Sequence, residues 1–318
     1  MNRNSEAIII FCSHLCTTSD IRPFEPKEWS DFASRLVELK LQPGDLLDFD
    51  RHDFDYMLSS NDEESARMMR LIDRSASLRF EIEKYESMGI QIITRADAEY
   101  PKQLKKKLGI SCPPLFYAAG DLSLLNKECV GYVGSREVDA SDIEFTRRAV
   151  SATAGNGYAV VSGGAKGIDS ISATAAMSEG VAVIEYLSDS MQRKMRDSGL
   201  NSEIRDGRVL LMSVVVPTAG FNIGVAMMRN RYIYAQSSGT VVIRSDKGKG
   251  GTWAGATENL KHAWCPTFCR ECEYPGNQEL IRLGAIPISE HWDGDVSKYH
   301  VEPAKAEKKP EQLSFWDM

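Results

Sequence analysis

Three glycines and a lysine follow one short apolar stretch, in the segment Val161-Ser162-Gly163-Gly164-Ala165-Lys166-Gly167-Ile168-Asp169. Residues Tyr158 to Val161 have a strand pattern, and the residues from about Ile168 towards Gly180 have a helix pattern. A glycine turn at a helix N-terminus leaves backbone N–H groups unpaired, and anionic oxygens can accept hydrogen bonds from them. Lys166 adds a positive charge. The segment therefore predicts a phosphate-binding turn, although a tight strand–helix connection would use glycines too.

Three further segments are predicted to form turns that place cations beside strand patterns. They are Gly134-Ser135-Arg136 after the strand Val130 to Val133, Arg229-Asn230-Arg231 before the strand Thr240 to Ile243, and Lys247-Gly248-Lys249-Gly250-Gly251-Thr252 after that strand. Ligands of open α/β sheets bind outside the carboxyl ends of strands. We therefore expect the turns after Val133, Val161 and Ile243 to line one crevice.

The charge distribution is compatible with an anionic ligand there. The net charge is −7, which by itself opposes binding to a polyanion. Residues 129–290, however, carry equal numbers of basic and acidic residues, so the excess of acid lies outside the segment that holds the glycine turns. The overall acidity therefore does not exclude a phosphate site.

Four parts of the chain are expected to position these residues. Residues 1–85 have helical periodicity and predict a small helical N-terminal domain. Residues 86–128 contain a short strand and paired prolines and predict a connecting extension. Residues 129–290 alternate strands and helices, which is typical of an α/β, doubly wound, mostly parallel sheet. One of these helices is predicted to open with a capping box at Ser141 to Glu144. Residues 291–318 are polar and predict a flexible tail.

Composition excludes several other classes of protein. The sequence is 42% hydrophobic and 26% charged, as in soluble globular proteins. It has neither a signal-peptide pattern nor the roughly 20 apolar residues that span a bilayer, so we expect a cytoplasmic protein without a membrane partner. Its seven scattered cysteines do not form a disulfide framework. We expect no bound metal, with zinc as the weaker alternative on His262, Cys265, Cys269 and Cys272.

The motifs closely resemble the DNA-processing protein A family, also called DprA or Smf. The resemblance rests on Val133 to Arg136, Ser162 to Asp169 and Arg229 to Arg231 in this order, and covers about residues 85 to 288. It implies a Rossmann-like domain that binds single-stranded DNA, a homodimer, no enzymatic activity, no cofactor, and a recombination mediator that loads RecA during natural transformation.

The resemblance also implies roles for single residues. Asp169 and Asn230 would support the turns, and Phe221 and Trp253 are candidates for stacking on bases, although core packing is the more common role of such aromatics. The residues implied to bind DNA phosphates are Gly134, Ser135, Arg136, Ser162, Gly163, Gly164, Lys166, Gly167, Arg229 and Arg231, and the glycine-rich turn adds Lys247 and Lys249.

The sequence departs from the family pattern at two positions of the crevice. Ala173 stands where a histidine is usual, and Arg244 replaces an acidic residue after the strand that ends at Ile243. Too few residues follow Glu290 for the winged-helix domain of many relatives, so we expect that domain to be absent. These departures favour one alternative: a regulatory or anti-phage defence protein that senses DNA or a nucleotide in the same crevice and controls a partner.

The last residues of the chain suggest a second partner. Gln312, Leu313, Phe315 and Trp316 are similar to the short peptide by which bacterial replication proteins bind the DNA polymerase sliding clamp. Docking of this segment on the chain's own domain is the alternative.

Catalytic interpretations have little support in the sequence. None of the five histidines lies beside a glycine turn with a nucleophile. Gly250-Gly251-Thr252 is similar to nucleotide-processing enzymes of the lysine-decarboxylase-like group. Those enzymes need a glutamate three residues beyond the threonine, where this chain has Gly255, with Glu258 further along.

Overall fold

The structure is a computed structural model that describes residues 1–18, 21–58 and 60–301. The described residues form two compact units. The first contains Met1–Ala118 and the short segment Val214–Val216, and the second contains Ala119–Ser213 and residues 217–301. The expected connecting extension, residues 86–128, is therefore divided between the two units. Across the described residues, we find no helix that combines the length and the apolarity needed to cross a bilayer.

The first unit is mainly helical. Its core includes the aromatic cluster of Phe11, Phe24 and Trp29, in which the rings of Phe11 and Trp29 stack with centroids 6.2 Å apart. Arg74 is buried beside this core, and its guanidinium donates to the carbonyl of Leu15 at 2.7 Å. The elements are α1 (Arg3–Cys12), α2 (Pro26–Glu38), α3 (Arg51–Met57), α4 (Asp62–Asp73), α5 (Ser75–Ser87), β1 (Ile90–Thr94), α6 (Lys102–Leu108) and β2 (Leu115–Ala119).

The second unit is built on a parallel sheet. Its strands are β3 (Cys129–Val133), β4 (Ala159–Ser162), β5 (Val183–Leu187), β6 (Val209–Ser213), β7 (Gly239–Val242), β8 (Thr267–Arg270) and β9 (Ile286–Ile288). Its helices are α7 (Ala140–Gly155), α8 (Ile168–Ser178), α9 (Met191–Lys194), α10 (Ser198–Arg205), α11 (Ile223–Gln236), α12 (Gly250–His262) and α13 (Pro275–Arg282).

The strand order confirms the doubly wound, Rossmann-like fold. The strands lie in the order β6-β5-β4-β3-β7-β8-β9, and every neighbouring pair is parallel. The chain leaves β3 on one side through β4, β5 and β6, and returns on the other side at β7. Strands β3 to β8 are buried along their whole length, which explains their nearly continuous apolar sequences. The order reverses at β3, and this is where such sheets bind ligands.

Three local expectations differ from the structure. Helix α7 begins before the predicted capping box, because Asp139, and not Ser141, is its N-cap and accepts from the N–H of Asp142 at 3.0 Å. Residues up to 301 do not behave as a free tail, since Val296 is buried and Trp292 packs on Phe268 with ring centroids 5.2 Å apart. Residues 229–231 form no turn before β7, because they lie inside helix α11.

Candidate functional site

The carboxyl ends of β3, β4 and β7 open into a cleft of about 610 Å³. Its walls come from the turn after β3, the turn after β4, helix α11, and the turn between β7 and α12 with the first residues of α12. The crevice expected from the sequence is thus present. Of the residues implied to bind phosphate, the cleft is lined by Gly134, Ser135, Arg136, Lys166, Arg229 and Lys249.

Three cations at the cleft are exposed. Arg136 follows β3, Lys166 follows β4, and Lys249 follows β7, so each comes from a different turn. Among the described residues, none of the three has a carboxylate within ion-pair distance. Lys249 is also the N-cap of α12, a helix whose start has no side-chain cap. These three residues, called the cleft cations below, and the open end of α12 make the cleft attractive to anions.

Arg229 lies in the cleft wall as a buried residue. Its guanidinium donates to the carbonyl of Tyr186 at 3.0 Å and lies 3.6 Å from the carboxylate of Asp169. Burial raises the pKa of the Asp169 carboxyl, and Arg229 opposes that change. Asp169 also accepts from the N–H of Ala165 at 3.4 Å. Asp169 thus contacts both the turn after β4 and the guanidinium of Arg229 in α11.

The glycine turn after β4 is shaped by this ion pair. A Cβ at Gly163 would overlap the guanidinium of Arg229, so a larger residue there would displace that buried group. The other side of the turn is held by Lys194, which donates to the carbonyl of Gly164 at 3.2 Å and pairs with the buried Glu185. The sequence did contain a signal for Glu185, because a carboxylate inside an apolar strand requires a partner.

The turns after β3 and β4 contact each other directly. The N–H of Ile168 donates to the carbonyl of Ser135 at 3.3 Å. A Cβ at Gly167 would lie 2.7 Å from the Cα of Arg136, and a Cβ at Gly134 would overlap the side chain of Ile168. These glycines let two backbone segments and the start of α8 pack together. Their close contact explains part of the glycine pattern without any ligand.

Two predicted phosphate ligands are directed to carboxylates instead. Arg231 forms an ion pair with Glu258 at 2.8 Å, and Lys247 forms one with Glu279 at 3.1 Å. Neither residue lines the cleft. On a helix, residues at positions i and i+2 point in different directions, so the pair Arg229 and Arg231 cannot act together as it would from a turn. Four other residues implied to bind phosphate do not line the cleft either: Ser162, Gly163, Gly164 and Gly167.

Asn230 and Arg244 support the neighbouring walls. The amide of Asn230 donates to the carbonyl of Gly251 at 3.1 Å, which joins α11 to the start of α12. Arg244 lies over the ring of Tyr274 and donates to the fully buried Asp142 at 3.1 Å. Arg244 shares this carboxylate with Arg270, and it also lies 3.8 Å from the carboxylate of Asp139.

An exposed apolar lip borders the cleft at the start of α11. Phe221, Ile223 and Met227 are 51%, 72% and 38% exposed, and all three line the cleft. The guanidinium carbon of Arg136 lies 5.3 Å from the centroid of the Phe221 ring. Phe221 is therefore not packed in the core, although core packing is the more common role of such an aromatic. Trp253 is half-buried in α12 and does not line the cleft.

The zinc candidates do not converge on one point. The thiol of Cys265 contacts the hydroxyl of Thr240 at 3.3 Å, and the ring of His262 stacks on Trp264. The thiol of Cys269 is buried and lies 3.6 Å from the carbonyl of Asn277. Cys272 donates to the carbonyl of Arg270 at 3.5 Å. The described residues contain no group of three or more His, Cys, Asp or Glu side chains that could hold a metal ion.

Two other expectations concern particular residues. Gly255, at the place of the enzymatic glutamate, faces the ring of Tyr234, and Glu258 is engaged by Arg231. The clamp-binding candidates Gln312, Leu313, Phe315 and Trp316 lie outside the described residues.

Comparison with known proteins confirms the family resemblance. Residues 91–294 match the model of the family described as DNA recombination-mediator protein A. The chain is 28% identical over 202 residues to the DNA processing protein DprA of Bacillus subtilis, covering 59% of this chain and 67% of the relative.

Two solved structures share the fold. The DNA processing protein A of Streptococcus pneumoniae has a TM-score of 0.65 at 20% identity, covering 83% of this chain and 95% of that one. The Helicobacter pylori protein, whose structure was described for its single-stranded DNA binding mode, has a TM-score of 0.51 at 23% identity, covering 62% of this chain and 90% of that one. A family match over most of the length, on a sheet of the expected order, leads to one conclusion: this chain belongs to the DNA recombination-mediator protein A family.

Proposed function

We propose that this protein binds single-stranded DNA in the cleft above β3, β4 and β7, and that it acts as a recombination mediator that loads RecA onto the strand. The observation that carries the proposal is the set of cleft cations, one on each of three turns and each without an ion-pair partner among the described residues. Cations distributed over three turns suit a repeating phosphate backbone, because successive phosphates can contact successive turns.

The apolar lip favours a single strand over a duplex. Phe221, Ile223 and Met227 offer an exposed apolar surface next to Arg136. The bases of a single strand are unpaired and can stack on such a surface, with a gain of about 1–3 kcal/mol per stacked base. The bases of a duplex are already stacked on each other and gain nothing from it. The Helicobacter pylori relative is described as binding single-stranded DNA, which supports the same ligand here.

Fluorescence anisotropy with labelled oligonucleotides tests the DNA-binding part. Arg136→Ala and Lys166→Ala should each weaken binding of a single strand about tenfold, because each removes one charge-assisted phosphate contact. Arg231→Ala is the matched control, since Arg231 is paired with Glu258 and should leave the affinity unchanged. Absence of binding at low salt, or equal effects of all three variants, would contradict the proposal.

The RecA part needs a separate measurement. On a strand covered by single-strand-binding protein, wild-type protein should shorten the lag before RecA hydrolyses ATP, and Arg136→Ala should not. If the lag is unchanged by a protein that binds the strand, the RecA-loading role is wrong and the binding role remains.

A homodimer, which we also propose, would give twice the chain mass of 35.4 kDa in light scattering.

A further inference from the structure

Arg244 lines the cleft but is not one of the cleft cations. It lies on the turn between β7 and α12, which also carries Lys249. Its carbonyl accepts from the N–H of Ser135 at 3.0 Å, and this bond holds the backbone of Arg244 against the turn that carries Arg136. The side chain of Arg244 is 25% exposed. Arg244 therefore lies in the part of the cleft where we place the phosphates.

Two contacts fix the orientation of the Arg244 guanidinium. Its Nη1 donates to the carboxylate of Asp142 at 3.1 Å, and its central carbon lies 4.4 Å from the centroid of the Tyr274 ring. Asp142 is fully buried in the first turn of α7. A guanidinium that is held at one nitrogen and covered on one face has few other orientations. The directions of its remaining N–H groups are therefore set before a ligand arrives.

The opposite edge of the same guanidinium is available to a ligand. The Nε and Nη2 groups of Arg244 make no hydrogen bond to any residue that the structure describes, and neither is among the buried polar atoms without a partner. Both groups therefore keep contact with solvent. Their N–H bonds run nearly parallel, and such a pair of donors matches two oxygens of one phosphate.

The buried carboxylate of Asp142 does not depend on Arg244 alone. Arg270 donates to its other oxygen at 2.7 Å and is itself buried. The exposed carboxylate of Asp139, 3.8 Å from Arg244, accepts from the hydroxyl of Tyr274 at 2.7 Å. Arg244 can therefore share its charge with a phosphate without leaving Asp142 unpaired.

We propose that Arg244 is a further phosphate contact of the cleft, in which Nε–H and Nη2–H donate to two oxygens of one backbone phosphate while Nη1 stays on Asp142. In this arrangement Asp142 is a positioning residue, because it acts only through Arg244. The inference rests on the proposed binding of single-stranded DNA. It adds to the cleft cations an arginine whose direction the protein has already fixed.

Anisotropy titrations with a labelled single strand test this contact. Arg244→Ala should weaken binding about tenfold and make the salt dependence of the affinity shallower by about 0.7 in the log–log slope. The variant should still fold, as circular dichroism would verify, because Arg270 continues to hold Asp142. Arg148→Ala is the matched control. Arg148 pairs with Glu144 at 2.8 Å and does not line the cleft, so its loss should change neither the affinity nor the slope.

Arg244→Lys separates a directed contact from the effect of charge alone. A lysine keeps the charge but cannot donate to Asp142 and to two phosphate oxygens in one fixed plane, so it should recover only part of the affinity. Full recovery with lysine, or an unchanged affinity in Arg244→Ala, overturns the inference. If Arg136→Ala weakens binding and Arg244→Ala does not, only the inference fails and the proposed function stands. If wild-type protein binds no single strand, the proposed function fails as well.

Discussion

At the scale of single residues, the shape of the cleft depends on a glycine. Gly163 leaves room for the guanidinium of Arg229, which reaches across the turn to Asp169. Arg229 is buried, and its pKa is lowered by that burial, so the guanidinium depends on its few polar neighbours. A side chain at residue 163 would therefore disturb the ion pair between Arg229 and Asp169, which joins two walls of the cleft.

Gly163→Ala should lower the free energy of unfolding by about 2 kcal/mol, because the buried guanidinium of Arg229 loses its position beside Asp169. Urea unfolding followed by circular dichroism measures this difference. Gly155→Ala is the control, since a Cβ at Gly155, at the end of α7, meets no atom within 4 Å. Equal stability of the two variants would show that the packing at residue 163 is not as tight as described.

Glu279 gives a prediction that depends on pH. Hydrogen bonds from Arg282, and then from Lys247, lower the pKa of the Glu279 carboxyl to about 2. A lowered carboxyl pKa stabilises the folded state above the ordinary value near 4.5, and this contribution is lost as the pH falls from there towards 2. An NMR titration of the Glu279 side chain should show the low value, and Lys247→Ala should raise it. An ordinary value in wild-type protein would exclude the ion pair that removes Lys247 from the cleft.

At the scale of elements, the start of helix α7 is fixed by Asp139, which the sequence pattern did not identify as the N-cap. Asp139→Ala should lower the free energy of unfolding by about 1 kcal/mol, because the N-cap and its capping box with Asp142 are lost. Asp139→Asn should keep most of that stability, since asparagine is as good an N-cap. Chemical denaturation of the two variants gives the comparison. A loss of equal size in both would assign the effect to the charge near Arg244 rather than to the cap.

The same helices show what sequence patterns can and cannot predict. The strands β3, β4 and β7 and the start of α8 were predictable, because buried parallel strands are continuous apolar runs and a glycine turn ends one of them. Residues 229–231 were predicted as one of the cation-bearing turns beside the strand Thr240 to Ile243, but they lie inside α11. Their burial and their ion pairs are decided by α11, Asp169 and Glu258, which are distant in the sequence. Which cations stay free is thus a property of tertiary packing.

At the scale of the whole molecule, the cleft cations carry positive charge although the net charge of the protein is −7. Binding of a single strand through three cations should weaken with salt, with a slope of about −2 in a plot of log affinity against log salt concentration. Arg136→Ala should reduce that slope by about 0.7, and Arg231→Ala should leave it unchanged. Anisotropy titrations over a range of salt concentrations measure the slope. A slope near zero would mean that the cleft cations do not contact the phosphates.

The contact between the turns after β3 and β4 has a mechanical consequence. The N–H of Ile168 bonded to Ser135, and the tight packing at Gly134 and Gly167, prevent the two turns from moving apart. The distance between the backbones of Arg136 and Lys166 is then nearly constant. The bound nucleic acid must therefore adapt the spacing of its phosphates to the protein. A single strand can change its phosphate spacing at little energetic expense, whereas a duplex resists such deformation. Selection for the more pliable nucleic acid would follow from the stiffness of the protein alone.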